Sequence, residues 1–486
     1  MSEESSENER QRKLEKLQEI GIEPYNGPYP VTHCAPLVQV GFPELEGQSV
    51  AVAGRLVAIR VHGKAAFAHL DDGEGRIQLY LRADTLADAY TTFTDLLDIG
   101  DIIGCHGTVF KTRTGEVTIS VQKFKLLTKS LRELPEKWHG LKDVELRYRQ
   151  RYVDFIANSK ARQNIHLRIR MITLVRRFLE DRDFLEVETP ILQPIYGGAM
   201  ARPFVTHHHA LNLSLYLRIA PELYLKRMTV GGFNRVYEIG RNFRNEGISS
   251  THNPEFTALE VYQAYADYRD MMQLTEELIA FLAQQIFDSY RIPMAGTEVN
   301  LEPPWERLSL QQAFQRHAGI EIESLQDLAF ARNYLGQNSI RMEKKLSWGT
   351  AVDEILKKRI EPELKGPVFL YDYPTVLSPL AKNKPGDPDW VERFQPIIAG
   401  IELGNAFSEL ADPREQRIRF QRQHQEKEKG DEEAHPMDED FVTALEYGMP
   451  PTGGLGIGLD RLIMLFAQEE SLREIITFPT LRPKAL

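Results

Sequence analysis

Two arms of alternating polarity, residues 237–246 and 253–262, constrain this chain more than any other stretch. Read with a period of two, the first sends Glu238, Asn242, Arg244 and Glu246 to one side, and the second sends Phe256, Glu260 and Tyr262 to one side. Residues 247–252 between them suit a hairpin loop longer than a tight turn. A sheet face carrying an arginine, glutamates, a phenyl ring and a tyrosine is too polar for a core. It is suited to holding a phosphate and a cationic amine side by side.

The rest of the chain divides by periodicity. Between about 48 and 128 the pattern is short strands, at 50–56, 65–70, 76–81, 101–109 and 116–121, punctuated by Gly63, Gly73, Gly75 and Gly115. Five strands in so short a span fit a small Greek-key barrel. Ahead of it, residues 9–20 read as a helix with Leu14, Leu17 and Ile20 as a narrow apolar stripe, stopped by Gly21 and Pro24. So thin a stripe suggests a solvated, loosely docked helix, with contact to RNA as the alternative. Residues 135–140 read as a connector, within a linker spanning 131–160. A long helical pattern follows over 161–183, with Ile165, Ile169, Ile172, Val175 and Leu179 on one stripe. Residues 309–365 are mostly helical in pattern and hold no evident catalytic cluster.

The 486 residues leave room for two or three domains, each with its own core. No run approaches the roughly 18 apolar residues of a membrane span. The polar, acidic start is the opposite of a secretory leader, and Cys34 and Cys105 form neither a metal spacing nor a disulfide framework. A cytoplasmic enzyme without a membrane partner is the simplest reading. The net charge of −11 weighs mildly against a nucleic-acid partner. Local runs (Arg147, Arg149, Arg151; Lys123, Lys125, Lys129) still offer a positive stripe.

Three further patterns bear on chemistry. His207, His208 and His209 are adjacent, and successive residues of an extended chain face opposite ways, so they do not easily meet one ion. Gly454, Gly456 and Gly458 suggest a dinucleotide loop only weakly, because too little chain follows for a βαβ unit. A strand whose glycines admit a close ligand fits better. In residues 400–410, Asn405, Phe407 and Glu409 alternate onto one face while Glu402 has the opposite parity, so a shared site requires a bulge near Gly404.

The hairpin resembles motif 2 of the class II aminoacyl-tRNA synthetases, in the form found in lysyl-tRNA synthetases of bacterial type. Residues 451–461, with their glycine run and Arg461, resemble motif 3, and residues 184–190 resemble the strand end of motif 1. The match runs from about Gln48 to Pro483. The resemblance implies an α+β protein: a 1–47 helical extension, an OB-fold anticodon-binding barrel over 48–130, and a class II catalytic domain over 161–486. That domain is an antiparallel sheet flanked by helices, with a helical insertion at about 309–365. It further implies a homodimer formed through motif 1.

The implied activity is lysine–tRNA ligation, with L-lysine, ATP and tRNA(Lys) as partners and Mg²⁺ accompanying ATP. Such chemistry needs reactants held in line and charge neutralised on the α-phosphate. By the resemblance, Arg244 bridges the α-phosphate and the lysine carboxylate, Glu246 meets the adenine amino group, and Phe256 and Arg461 stack on its two faces. His252 and Asn253 lie in the loop toward the phosphates. Lysine is implied to lie among Gly198, Glu222, Arg244, Glu260, Tyr262, Asn405, Phe407 and Glu409, with Gly198 and Glu222 at its α-amino group and Glu260, Tyr262 and Glu409 at its ε-ammonium. Glu402 matches a Mg²⁺ ligand, but the second acidic position holds Gln395, which supplies no negative charge. In the barrel, Arg60, Phe67 and Gln78 match anticodon-contacting positions.

Aspartyl and asparaginyl relatives need a cation for the side chain, whereas this pocket offers Glu409 and Glu260. A shortened relative that lysylates a protein would lack the barrel. A catalytically weakened, synthetase-like tRNA-binding protein is the remaining alternative, favoured only by Gln395.

Overall fold

Strands of alternating burial close on themselves in the first part of the chain. The computed structural model describes residues 3–134, 143–294, 296–342, 345–428 and 436–483. It falls into two units, Met1–Lys142 and Asp143–Leu486. In the first, β1 (Ser49–His62), β2 (Ala65–Asp71), β3 (Arg76–Arg82), β4 (Ile102–Lys111) and β5 (Val117–Thr128) form a closed barrel in the order β1-β2-β3-β5-β4. The β3–β5 pairing is parallel and the others are antiparallel. Val50, Val52, Leu56, Leu79, Ile103 and Ile119 fill its interior.

The first helix, α1 (Glu3–Glu19), departs from expectation. It is pinned to the barrel rather than loosely docked. Arg10 donates to the Ser130 and Ile99 carbonyls, Lys13 meets Asp98 at 2.7 Å, and Leu14 and Leu17 are buried. Ile20 lies beyond the helix and is 57% exposed, so the stripe is one residue shorter than its pattern. Lys129 is also turned inward, against Asp98 and Asp101, and offers nothing to a positive surface.

Residues 135–142, which include the expected connector, lie outside the described residues. The following part of the 131–160 span forms two short helices, Val144–Arg149 and Arg151–Ala157. The basic run here does not form a stripe. Arg147 and Arg151 both close on Asp154, at 2.9 and 2.6 Å, and Arg147 also meets Glu474.

The second unit is built on a ten-stranded sheet. Its path runs β9 (Glu306–Ser309), β10 (Val368–Pro374), β11 (Asp387–Ile398), β13 (Gly404–Ser408), β14 (Thr452–Gly458), β8 (Glu255–Ala264), β7 (Arg235–Phe243) and β6 (Leu185–Glu186), with β12 (Ile401–Glu402) and the two-residue strand Asn383–Lys384 beside β11. Most pairings are antiparallel, whereas β6–β7 and β9–β10 are parallel. One face packs on α2 (Ser159–Glu180), α4 (Tyr268–Phe287) and α5 (Leu459–Phe466) through Leu259, Val261, Leu455, Ile457, Ile279, Leu282 and Ile463. Each such side chain, fully buried, contributes roughly 1.5–3 kcal/mol. The other face is the floor of a cavity, walled by α3 (Glu222–Val230).

The helix α2 keeps the expected face in its second half, where Val175 and Leu179 are buried. In its first half Asn164, Arg168 and Met171 point inward instead, and Ile169 is 58% exposed. The cause is a polar network on the inner face: Arg168 donates to Asp460 and Thr257, and Asn164 to Glu469. Residues between 309 and 365 form short helices and turns around a second core of Phe314, Leu335, Val352 and Ile360.

Candidate active site

The β7–β8 hairpin sets the floor. Asn242 pairs with Phe256 and Glu238 with Glu260, so even-numbered residues share a face. Arg244 and Glu246 continue that face past the end of β7. Asn242, Arg244, Glu246, Phe256, Glu260 and Tyr262 all line one cavity of about 360 Å³. Glu238 is the exception. It lies deeper, closed by a buried ion pair with Arg218 and a hydrogen bond from Thr189 at 2.7 Å.

The strand bearing Glu402 solves its parity problem by breaking. In β11, Ile397 pairs with Glu402, but Phe394 pairs with Ala406 and Arg393 with Phe407, a one-residue slip centred on Leu403. The slip brings Glu402 to the same cavity as Asn405, Phe407 and Glu409. Gly404 is needed there because a Cβ would sit 2.1 Å from the Gly456 carbonyl.

At the end of the cavity bounded by the hairpin loop, Arg461 at the start of α5 donates to the Glu402 carbonyl at 2.9 Å and to His252 Nε2 at 3.1 Å. That bond makes Nε2 the acceptor, leaving Nδ1 to donate to Ser249 or Thr251. Burial, then the Arg461 charge, lowers the His252 pKa, so the ring is neutral near pH 7. Arg244 lies 5.0 Å from the Phe256 ring centre, and its Nε is buried without a partner. Burial pulls its pKa down and Glu246 pulls it up; a guanidinium remains charged throughout. Asn253 bonds the Glu255 carbonyl.

At the other end three carboxylates converge: Glu222 from α3, Glu260 from β8 and Glu409 after β13, each at most 8% exposed. Tyr262 donates to Glu260 at 3.2 Å. Burial, then Glu222, pushes Glu260 up to about 8. Burial likewise raises Glu409 well above the carboxylate range, with Lys226 opposing and Glu222 adding to the rise. Gly454 leaves the space that Glu409 occupies, for a Cβ there would fall 1.9 Å from its Oε1. Gly198, at φ +86°, abuts Glu222.

Two residues of this site carry no sequence signal of their own. Lys226, one helical turn after Glu222, pairs with it at 2.6 Å and with Glu409. Arg393 lines the cavity and orients Asn405, donating to its Oδ1 at 2.7 Å.

The donor set for a cation is thin. Gln395 accepts from Tyr373 at 2.5 Å and donates its amide to Glu402 at 3.0 Å, so its carbonyl faces away from the cavity. Glu402 then remains as the carboxylate beside Arg461, 3.5 Å from its guanidinium. One or two carboxylates with substrate phosphates are enough for Mg²⁺, which keeps most of its waters. His207, His208 and His209 gather no further ligands; among the described residues no group of three or more His, Cys, Asp or Glu is placed to hold a metal.

On the barrel, Phe67 pairs across strands with exposed Arg60 and with Tyr80, whose ring centre is 4.9 Å away. Phe110 extends the strip at 6.0 Å from Tyr80. Gln78 is buried, its amide on Glu116 at 2.7 Å and its carbonyl accepting from Thr118 at 2.8 Å.

Comparison with known proteins bears on both units. Residues 143–482 match the family model of class II tRNA synthetases (D, K and N), and residues 50–127 match that of the OB-fold nucleic acid binding domain. A lysine–tRNA ligase of Moorella thermoacetica is 54% identical, covering 98% of this chain and 97% of its own. Those of Carboxydothermus hydrogenoformans and Pelotomaculum thermopropionicum are 52% and 53% identical over 98% of this chain, and over 97% and 94% of their own.

Proposed function

The chain belongs to the class II tRNA synthetases of the D, K and N group, and on that premise we infer that it acts as a lysine–tRNA ligase. ATP and L-lysine form lysyl-adenylate and diphosphate. The 3′-terminal hydroxyl of tRNA(Lys) then takes the lysyl group and AMP leaves.

One observation carries the choice of amino acid. Glu409 Oε1 is buried with no hydrogen-bond donor, beside Glu260 and Tyr262, in the cavity that also holds Arg244. A protonated primary amine satisfies that oxygen; a neutral or anionic side chain leaves a carboxylate unmatched, at roughly 2–5 kcal/mol. Aspartate and asparagine are disfavoured on that ground.

Arg244 is assigned to the lysine carboxylate and the α-phosphate. A fork of fixed donors spans two anions and lowers their repulsion as the bond forms. Phe256 and Arg461 supply the two faces of an adenine slot, and Glu246 an acceptor for its amino group. His252, being neutral, brings no charge to the phosphates, and its one N–H, on Nδ1, reaches them only by leaving Ser249 or Thr251. Glu222 and Gly198 take the α-amino group, with Asn405 and Phe407 closing the pocket. No side chain forms a covalent intermediate; the work is positioning and charge neutralisation. Class II synthetases generally use Mg²⁺ with ATP. Here Glu402 would hold it, and the ion would neutralise phosphate charge.

The barrel over 48–130 is assigned to the anticodon, with Phe67 as a stacking platform and Arg60 near the backbone, while Gln78 reaches a base edge only by giving up Glu116 or Thr118. A homodimer formed through motif 1 would cover apolar side chains left exposed in and near that stretch of the sequence, among them Ile169, Leu185 and Leu192. No helix of the described residues is long and apolar enough to cross a membrane, and a cytoplasmic location fits the tRNA partner.

Pyrophosphate exchange driven by each amino acid in turn tests the reading. Lysine alone is expected to stimulate it. Stimulation by aspartate or asparagine overturns the assignment, and no exchange with any amino acid favours a silent tRNA-binding protein.

A further inference from the structure

Resting on the lysine-ligase reading, we propose that Lys226 is a positioning and specificity-determining residue, an internal ammonium that turns one oxygen of Glu222 and one of Glu409 toward the substrate. Its Nζ meets Glu222 Oε1 at 2.6 Å and Glu409 Oε2. The second oxygen of each carboxylate then points elsewhere. Glu222 Oε2 lies on the Gly198 side, 3.6 Å from where a Cβ of Gly198 would stand, and Glu409 Oε1 fills the space left by Gly454. These are the α-amino and ε-ammonium ends of the pocket. The clamp therefore sets the aim of both ends at once.

The geometry of Lys226 is fixed on every side. Its side chain has no exposed surface. Glu222 is its neighbour one turn back on α3, where residues four apart share a face. The rings of Phe407 and Phe441, with centres 5.3 and 6.0 Å from Nζ, close the remaining directions. Among the described residues no other basic side chain forms an ion pair with Glu222, Glu260 or Glu409, though the charge of Arg393 acts on Glu222 and that of Arg218 on Glu260 from further off. Counted as ionised and by direct contact alone, three carboxylates meet one ammonium, and the two ammonium groups of lysine supply partners for the oxygens left over. Norleucine, which lacks the ε-amino group, leaves one unmatched.

The test is lysine-dependent pyrophosphate exchange by the full chain with Lys226→Met and Lys226→Gln, alongside wild type. Lys226→Met is expected to raise the KM for lysine roughly 10–100-fold and to cut the preference for lysine over norleucine at least about tenfold, with the KM for ATP held within about twofold. Lys226→Gln, which keeps N–H donors on a shorter side chain without the charge, is expected to fall between. Lysine KM and preference within about twofold of wild type in either folded variant overturn the proposal. So does a parallel rise in the KM for ATP, or failure of both variants to fold, since each marks a merely structural lysine. The wild type is the control for the underlying reading: if it shows no lysine-dependent exchange, the ligase assignment fails, and not the clamp alone.

Discussion

The barrel face and the amino-acid pocket treat their polar groups in opposite ways. On the barrel, Gln78 is bonded at both ends, and Glu116, its partner, also holds His69 at 3.0 Å. In the second unit Glu409 Oε1, Arg244 Nε, Asn242 Oδ1 and Asn253 Oδ1 are buried without a partner. A buried orphan costs roughly 1–3 kcal/mol, more for a charge, so a fold tolerates it where a ligand repays the debt. The pocket demands its substrate. The barrel face is complete in itself, and its affinity must come from aromatic surface rather than from unmet hydrogen bonds.

That contrast is open to attack at several depths. Glu409→Gln removes the anion and keeps the shape, and the kcat/KM for lysine should fall by roughly 2–5 kcal/mol, measured by pyrophosphate exchange. A small loss would mean that the orphan oxygen does not set selectivity. Arg244→Lys replaces a fork by a point charge, and adenylate formation should slow about 10²–10³-fold in single-turnover assays. Phe67→Ala should weaken tRNA(Lys) by roughly 1–3 kcal/mol per lost stack while lysine-dependent exchange is untouched. If Gln78→Ala proves as damaging as Phe67→Ala, the barrel reads bases through hydrogen bonds after all.

The pH dependence follows from Glu260. Its carboxyl, held near 8 in the ligand-free fold, must lose a proton to receive an ammonium, and the lysine side chain stays charged to about 10.4. Lysine affinity should therefore rise with pH by at least about tenfold between pH 6.5 and 8, and level off about one pH unit higher. Glu260→Gln should flatten the curve; an unchanged slope would place the titration elsewhere. The smallest effect concerns Gln395. Gln395→Glu sets a second acid beside Glu402, and the Mg²⁺ midpoint of the exchange reaction should drop by less than about tenfold. Identical midpoints would make the glutamine inconsequential.

How far the site was legible depends on the distance over which each residue acts. Arg244, Phe256, Glu260 and Tyr262 lie on one hairpin, where alternation alone places them together. Glu402 required a defect in its strand, and its wrong parity was itself the signal for one. Lys226 was hidden because an ammonium on a helix looks solvated until the fold brings Glu409 to it from far along the chain. Arg393 was hidden more simply, its partners Asn405 and the Leu377 carbonyl being set by strand pairing and a turn that its own residue type does not signal. In the first half of α2 the apolar stripe misled because the inner face there is held by Arg168 and Asn164, and hydrophobic periodicity does not register a buried polar network. The α1 helix misled in the opposite sense. Few apolar residues suggested loose docking, but Arg10 and Lys13 bind backbone and carboxylate on the barrel.

The slip at Leu403 makes the chain length between Glu402 and Asn405 more binding than the residue types there. One amino acid removed or inserted in that interval would rotate Asn405, Phe407 and Glu409 together into the helix-packed layer, exchanging the whole recognition set for Ala406 and Ser408. Point substitutions at Leu403 should be survivable in comparison. Natural variation in this segment is thus expected to appear as replacements and almost never as gaps.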